Sequence, residues 1–558
     1  MIGNALLPLL EISPEFSRLA ALMLAVAIAL PLLLALAMLL RPVRRIMPHL
    51  LFLAPVPALV AALAVPRGMT MLVAPDPFRF ILALDTPGAL LLGGAALLWM
   101  MAGAFAAAYL RKDPARSAFA VWWLLAMAGS FAVFLVADVV SFYLAYALAS
   151  FSAFGLVTHD DTPGARRAGN LYLALTVLGE GFLIAAFVML ASGMPDANPL
   201  IRDAVAALPA SPVQGLIIAL LLLGFTMKMG LFPLHVWMPL AHSVAPVPGS
   251  AVLSGVVVKA GVIGLLRFLP EGVPLPGWGM VLCVFGLFTA FYGVAIGFTQ
   301  KHPKRALAYS TVSQMGFVGA IFGAGIMAGR MDAFSFTAFY AMNHMLLKGA
   351  MFLAVGLALA SGMRRRALGT LIAIVLGLSL AGLPFTGGAL AKYAAKMLLP
   401  GGMIEFLIAL SAAGTTLLMA RYAVLVAKSD VAGAPQRGLL LPACALTVLA
   451  LVVPYILFSP VTGLPLSAAF TSDALLKGSW PVLLGLVLFA ALRLSRLSAR
   501  LPEVPAGDLW LVVSRLERPV RAMQAQAVTV DGYLRQWPVA GFALLGLTAL
   551  LAAVAWAA

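Results

Sequence analysis

Sixteen apolar runs long enough to cross a bilayer follow one another along this chain, and they leave few folds open. They lie near residues 18–40, 47–65, 85–110, 117–136, 139–158, 168–191, 214–239, 250–268, 277–299, 306–328, 332–360, 367–399, 403–427, 438–458, 480–495 and 538–557. A spanning helix needs about 20 apolar residues. Long unbroken runs, rather than short alternating ones, exclude a β-barrel. Only 10% of the 558 residues are charged, against roughly 25% in soluble domains, so the chain cannot clothe a globule in water. The expected fold is all-α and integral to the membrane, with one helix for each of the sixteen runs.

The net charge of +16 does not indicate nucleic-acid binding, because the basic residues sit between apolar runs and act as topology signals. Loops after odd-numbered runs carry 23 Lys and Arg, among them Arg41, Arg44, Arg45, Arg111, Lys112, Lys301, Lys304, Arg305 and Arg364 to Arg366. Loops after even-numbered runs carry six: Arg67, Arg79, Arg202, Arg267, Arg330 and Lys477. That bias puts the odd-numbered loops in the cytoplasm and both termini on the far side of a bacterial inner membrane. No basic stretch precedes the first run, so the first helix is expected to signal its own insertion. Within 500–537, Leu509, Val512, Val513 and Leu516 recur at helical spacing opposite Arg515 and Arg518. This is the pattern of an amphipathic helix on the cytoplasmic surface.

Two runs are interrupted. The seventh holds Gly230, Pro233 and Pro239; the twelfth holds Gly382, Pro384, Gly387 and Gly388. Proline removes a helix hydrogen bond and glycine loosens the backbone. Breaks five runs apart, in corresponding positions, point to an inverted-repeat transporter with its site at the breaks. Spans 4–8 and 9–13 are the candidate five-helix repeats, broken in helices 7 and 12. The resulting divisions are 1–116, 117–268, 269–427, 428–499, 500–537 and 538–558.

Charges inside the runs mark the chemistry. Lys228 has fourteen residues of its run before it and eleven after, Lys259 is mid-run, and Lys392 adjoins the second break. A lysine at the bilayer centre costs about 2.5–3.5 kcal/mol on insertion scales, so each needs a function. Lys396 and Arg421 are close enough to run ends to snorkel. Burial disfavours an ammonium and a nearby carboxylate favours it, so moving that carboxylate or its proton switches the lysine between states. Glu180 is the one acid placed deep enough to pair with a deep lysine; Asp85, Asp138 and Glu405 lie near run ends. His344 precedes Lys348 by one turn on a shared face, His235 follows Pro233, and His242 opens the next link. Imidazole relays protons near neutral pH. Tyr309, Ser310, Ser313 and Gln314 add polar groups that serve either a pathway or helix–helix hydrogen bonds. The glycines of 323–329 read as a helix-packing surface. No metal or cofactor is expected: the histidines are isolated, and Cys283 and Cys444 form no CxxC pair.

The stretch 228–268, KMGLFPLHVWMPLAHSVAPVPGSAVLSGVVVKAGVIGLLRF, resembles the core of one family. It comprises the antiporter-like membrane subunits of respiratory complex I, Mrp-type Na+/H+ antiporters and membrane-bound hydrogenases. KRALAYSTVSQMGFVG (304–319), NHMLLKGAMFLAVG (343–356) and GLPFTGGALAK (382–392) extend the resemblance from about residue 120 to 425. It implies inverted repeats with broken helices 7 and 12. By the same resemblance Lys228 is the first-half lysine, Lys259 the connecting lysine of helix 8, His344 and Lys348 the helix 11 pair, and Lys392 the terminal lysine. The segment 500–537 is similar to a lateral helix of the sixteen-span complex I member, though far shorter.

Two positions depart from the family. Ala147 stands where a helix 5 glutamate is usual, leaving Glu180 to substitute, and Leu240 replaces an acid in MPLAH. The implied function is proton translocation, with Na+ as the other candidate ion, alongside partner subunits that hold any redox site. Two rivals are the membrane partner of an inorganic-carbon uptake system and a scaffold that has lost conduction.

Overall fold

The computed structural model describes residues 14–74, 79–196, 198–360, 362–429, 438–495, 501–505 and 507. The expected span at 538–557 and residues 508–537 of the expected surface helix lie outside them. Among the described residues, twelve helices are long and apolar enough to cross a membrane, and the shorter Gln214–Met229 joins them. The protein is thus a multi-pass, predominantly helical membrane protein. In chain order the helices are α1 (Pro14–Ala37), α2 (Arg41–Leu50), α3 (Val56–Ala64), α4 (Thr86–Tyr109), α5 (Arg116–Leu135), α6 (Val139–Val157), α7 (Pro163–Ser192), α8 (Ile201–Ala207), α9 (Gln214–Met229), α10 (Trp237–Val244), α11 (Val247–Phe268), α12 (Pro276–Thr299), α13 (Pro303–Met327), α14 (Asp332–Leu359), α15 (Met363–Ala381), α16 (Gly387–Lys396), α17 (Gly402–Ala427), α18 (Leu440–Thr462) and α19 (Ser472–Leu494).

Several expectations are corrected. The run at 47–65 is not one span: α2 and α3 meet at a tight turn over 51–55, where Pro48, Pro55 and Pro57 cannot supply the N–H groups of a continuous helix. Arg41, Arg44 and Arg45 belong to α2 rather than to a loop, and Arg44 Nε donates to Met38 O at 2.6 Å beyond the end of α1. The fifteenth run begins earlier than expected, at Ser472. The chain is not purely α: β1 (Thr70–Ala74) and β2 (Phe80–Ala83) pair antiparallel, with Thr70 opposite Ala83 and Met71 opposite Leu82.

Polar anchors set where helices begin. Asp85, Thr162 and Thr386 cap α4, α7 and α16 by accepting from backbone N–H groups two to three residues on, and α4 and α7 carry proline in the first turn, where its missing donor costs nothing. Asp138 is fully buried and accepts from Ser141 N, Ile81 N and Asn198 Nδ2, tying α6 to the hairpin. Arg267, at the end of α11, spends all its donors on Asp85 and the carbonyls of Val133, Phe134 and Val136. Asp85, Asp138 and Arg267 are therefore structural.

The two least apolar spans, α13 and α14, are almost wholly buried, as is α11, whereas only a minority of the residues of α1, α18 and α19 are buried. In lipid an apolar face needs no cover, whereas a polar side chain does. The α12–α13 pair shows how closely the interior packs. Gly279, Gly286 and Gly293 face Gly323, Gly316 and Ser313; a methyl added at Gly286 would lie 2.6 Å from Gly316 O. Small residues at that spacing let two backbones touch, which confirms the packing role expected for Gly323.

Candidate functional site

The first break follows from Gly230, whose φ of +74° ends α9 in a left-handed turn. Non-helical backbone runs from Gly230 to Val236, and α10 starts at Trp237. Pro239 lies within α10 and breaks nothing. Trp237 Nε1 donates to Met227 O at 3.1 Å, a carbonyl at the end of α9 that also accepts from Gly230 N. Lys228, two residues before Gly230, is buried. Its Nζ donates to Ser150 Oγ at 2.8 Å and Tyr172 Oη at 3.1 Å. It also lies 5.6 and 5.3 Å from the ring centres of Tyr146 and Tyr172. Lys228 and the buried Glu180 line one cavity of about 10 Å³, room for roughly a single water. Ala147 is only half-buried and does not line it.

His235 lies in the break, among the rings of Phe232, Tyr292 and Tyr309. His242 is fully buried near the ring of Phe352.

The centre is built on a π turn, Leu253–Val257, inside α11. Such a turn leaves helix carbonyls without their usual partners and recurs at functional sites. Lys259 fills the gap: its Nζ donates to Ser254 O at 3.0 Å and lies 2.8 Å from His344 Nδ1, on α14. Which of the two nitrogens donates depends on the tautomer of the ring, so one proton can be held at either end of this contact. One turn on, Lys348 reaches the opposite way, to Ser310 Oγ at 2.6 Å and Leu307 O at 3.2 Å on α13. Lys259, His344 and Lys348 are fully buried, and these partners are neutral groups. Gln314 continues the polar line, donating to Thr415 Oγ1 at 3.0 Å and accepting from Tyr340 Oη.

The second break repeats the device. Gly382, with φ of +92°, ends α15, and α16 begins at Gly387. Pro384 lies between them. Lys392 Nζ donates to Ala381 O at 2.8 Å, a carbonyl released by the break, and lies 5.6 Å from the ring centre of Phe317. It borders a cavity of about 230 Å³ shared with Lys396, Glu405, Asp473 and Lys477. There Lys477 pairs with Asp473 at 2.9 Å, and Lys396 Nζ donates to Lys477 O. Arg421 reaches Gln300 O at 3.3 Å near the other end of the molecule.

The structure thus brings Lys259 together with His344 and Lys228 together with Glu180, and places Lys392 at the second break and His235 among aromatic rings at the first. Sequence reasoning missed Lys304, assigned to a loop but buried in the first turn of α13, with Nζ 2.5 Å from Ala245 O. The signal was present: neighbours on a helix point about 100° apart, so Lys304 and Arg305 cannot both face the same way. Ser150 and Tyr172 carried no signal, since a hydroxyl in an apolar run is ordinary.

Residues 136–419 match the family described as NADH:quinone oxidoreductase/Mrp antiporter, TM. Hydrogenase-4 component B of Escherichia coli is 29% identical over 300 residues, 50% of this chain and 44% of that one. Na(+)/H(+) antiporter subunit A1 of Staphylococcus saprophyticus is 30% identical over 312 residues, 52% of this chain and 38% of its own length. The chain spans less than half the length of these curated relatives. A solved structure of the Mrp complex from Dietzia sp. DQ12-45-1b superposes with a TM-score of 0.75 at 24% identity, covering 96% of this chain and 63% of that one; the likeness is one of fold. With half its length inside the family match and the corresponding fold around it, the chain belongs to the NADH:quinone oxidoreductase/Mrp antiporter transmembrane family.

Proposed function

We propose that this chain translocates protons as a membrane subunit of a larger complex. Lys228, Lys259, His344, Lys348 and Lys392 are the carriers, Glu180 is the acid of the first half and His235 serves as a relay at the first break. The observation that carries the reading is the 2.8 Å contact between Lys259 Nζ and His344 Nδ1 in the buried centre. It is a donor and an acceptor within proton-transfer reach. Removing lysines from water with only neutral partners costs free energy that no structural role repays. A proton that must leave and return explains their presence.

The finer architecture belongs to the same reading. The chain crosses a bacterial plasma membrane repeatedly, with both termini outside the cytoplasm. Residues 117–268 and 269–427 form inverted five-helix repeats broken at Pro233 and Pro384. The 23-to-6 charge bias and the two glycine-ended breaks support it. Relatives named as a component, a subunit and a complex support partner membrane subunits, to which any redox chemistry belongs. The sodium named in one relative makes Na+ the second ion to measure.

The test is proton movement in native membrane vesicles, read with a pH-sensitive dye, for Lys228→Ala, Lys259→Ala, Lys392→Ala and the Lys228→Ala/Lys392→Ala double variant. Each is expected to lose transport while accumulating normally. Undiminished proton and Na+ movement in the double variant would overturn the reading and leave a structural scaffold.

A further inference from the structure

The Lys228 amine meets two hydroxyls whose own protons are committed elsewhere. Ser150 Oγ donates to Tyr146 O at 2.8 Å, and Tyr172 Oη donates to Ser150 O at 2.8 Å. Only lone pairs remain to face Lys228 Nζ, at 2.8 and 3.1 Å. An ammonium has three donors and no acceptor, so such a pair of acceptors suits the charged form. The faces of Tyr146 and Tyr172 add to the same preference. The titratable groups around Lys228 are Tyr146 from α6 and Tyr172 and Glu180 from α7; α10 contributes Trp237, and α11 contributes Gly261, packed on the Lys228 Cβ.

We propose that Ser150 and Tyr172 are positioning residues, a hydroxyl bracket that holds Lys228 charged at the cavity it shares with Glu180. Ser150 also interacts with the Glu180 carboxyl, so the bracket keeps Lys228 in place beside the acid that takes and passes the proton. The proposal rests on the reading of Lys228 as a proton carrier.

The experiment measures proton transport against pH in native vesicles for Tyr172→Phe, Ser150→Ala and Ser150→Thr, with abundance read by immunoblot. Without an acceptor the ammonium loses its proton more readily. The alkaline limb of the profile should then move about one unit toward acid in Tyr172→Phe and Ser150→Ala, a tenfold change in the protonation equilibrium. Ser150→Thr, which keeps the hydroxyl, should match the parent. If Ser150→Ala does not accumulate, Tyr172→Phe decides, because it keeps the ring. Loss of rate with an unmoved profile, or a profile identical to the parent, overturns the bracket. Full transport in Lys228→Ala would instead overturn the reading beneath it.

Discussion

The two breaks use one backbone device and surround their lysines in opposite ways. Gly230 and Gly382 both end a helix in the left-handed region, and each break frees carbonyls inside the bundle. Lys228 stands before its break, in about 10 Å³ walled by Tyr146, Ser150, Tyr172 and Trp237. Lys392 stands after its break, beside about 230 Å³ carrying Lys396, Glu405, Asp473 and Lys477. The first site satisfies its ammonium with protein groups; the second leaves room for water and further charges. A helix break therefore does not define a site. The packing around it decides whether the lysine sits in a pocket for a single water or beside a cavity many times larger.

The largest contrast is steric. Lys228→Arg has no room for a guanidinium and should abolish transport, with accumulation reduced several-fold; Lys392→Arg should accumulate normally. Vesicle transport and immunoblots check both, and equal behaviour of the two variants would erase the distinction.

The acids should differ next. Glu180→Gln is expected to cut transport about as deeply as Lys228→Ala, because Glu180 is the acid lining the small pocket beside Lys228. Glu405→Gln, one of several charges in a larger cavity, should cost less than about threefold, in line with the small worth of exposed charges. Because Ala147 does not line that pocket, adding Ala147→Glu should leave Glu180→Gln impaired.

Accessibility gives a cleaner reading with no transport assay. In a background lacking Cys283 and Cys444, Ala474→Cys at the second cavity should react with a water-soluble maleimide at least about tenfold faster than Thr176→Cys at the first, since solvated thiolate governs reactivity. Comparable rates would mean that the first pocket opens.

The smallest effects concern the aromatic faces. Phe317→Leu and Tyr146→Leu each remove a cation–π contact, worth about 0.5–1 kcal/mol when exposed and about 2 when dry. The pH profile should therefore move less for Phe317→Leu, at the wetter site, than for Tyr146→Leu.

Much of this arrangement was legible beforehand for particular reasons. A lysine in an apolar run is conspicuous because its insertion cost is high, so Lys228, Lys259, Lys348 and Lys392 stood out, and all four are buried. Glycine and proline announce a break because few other residues bear its dihedrals, yet Pro239 bears the same mark and sits quietly within α10. Lys304 was read as a topology charge, because a basic residue at a run's end looks the same whether it faces headgroups or turns inward to Ala245 O.

Composition and periodicity by themselves determined the solvent, most of the spans, the two breaks and the buried lysines, because apolar length and misplaced charge are local properties of the chain. Only the tertiary structure decided which groups those lysines meet. That Lys259 meets His344, that Lys348 turns to Ser310, and that Lys228 is held by Ser150 and Tyr172 depends on side chains from different helices converging to within 2.6–3.1 Å. A lipid-soluble helix can rotate about its axis without changing its local sequence signals, so its facing is settled by contact with its neighbours.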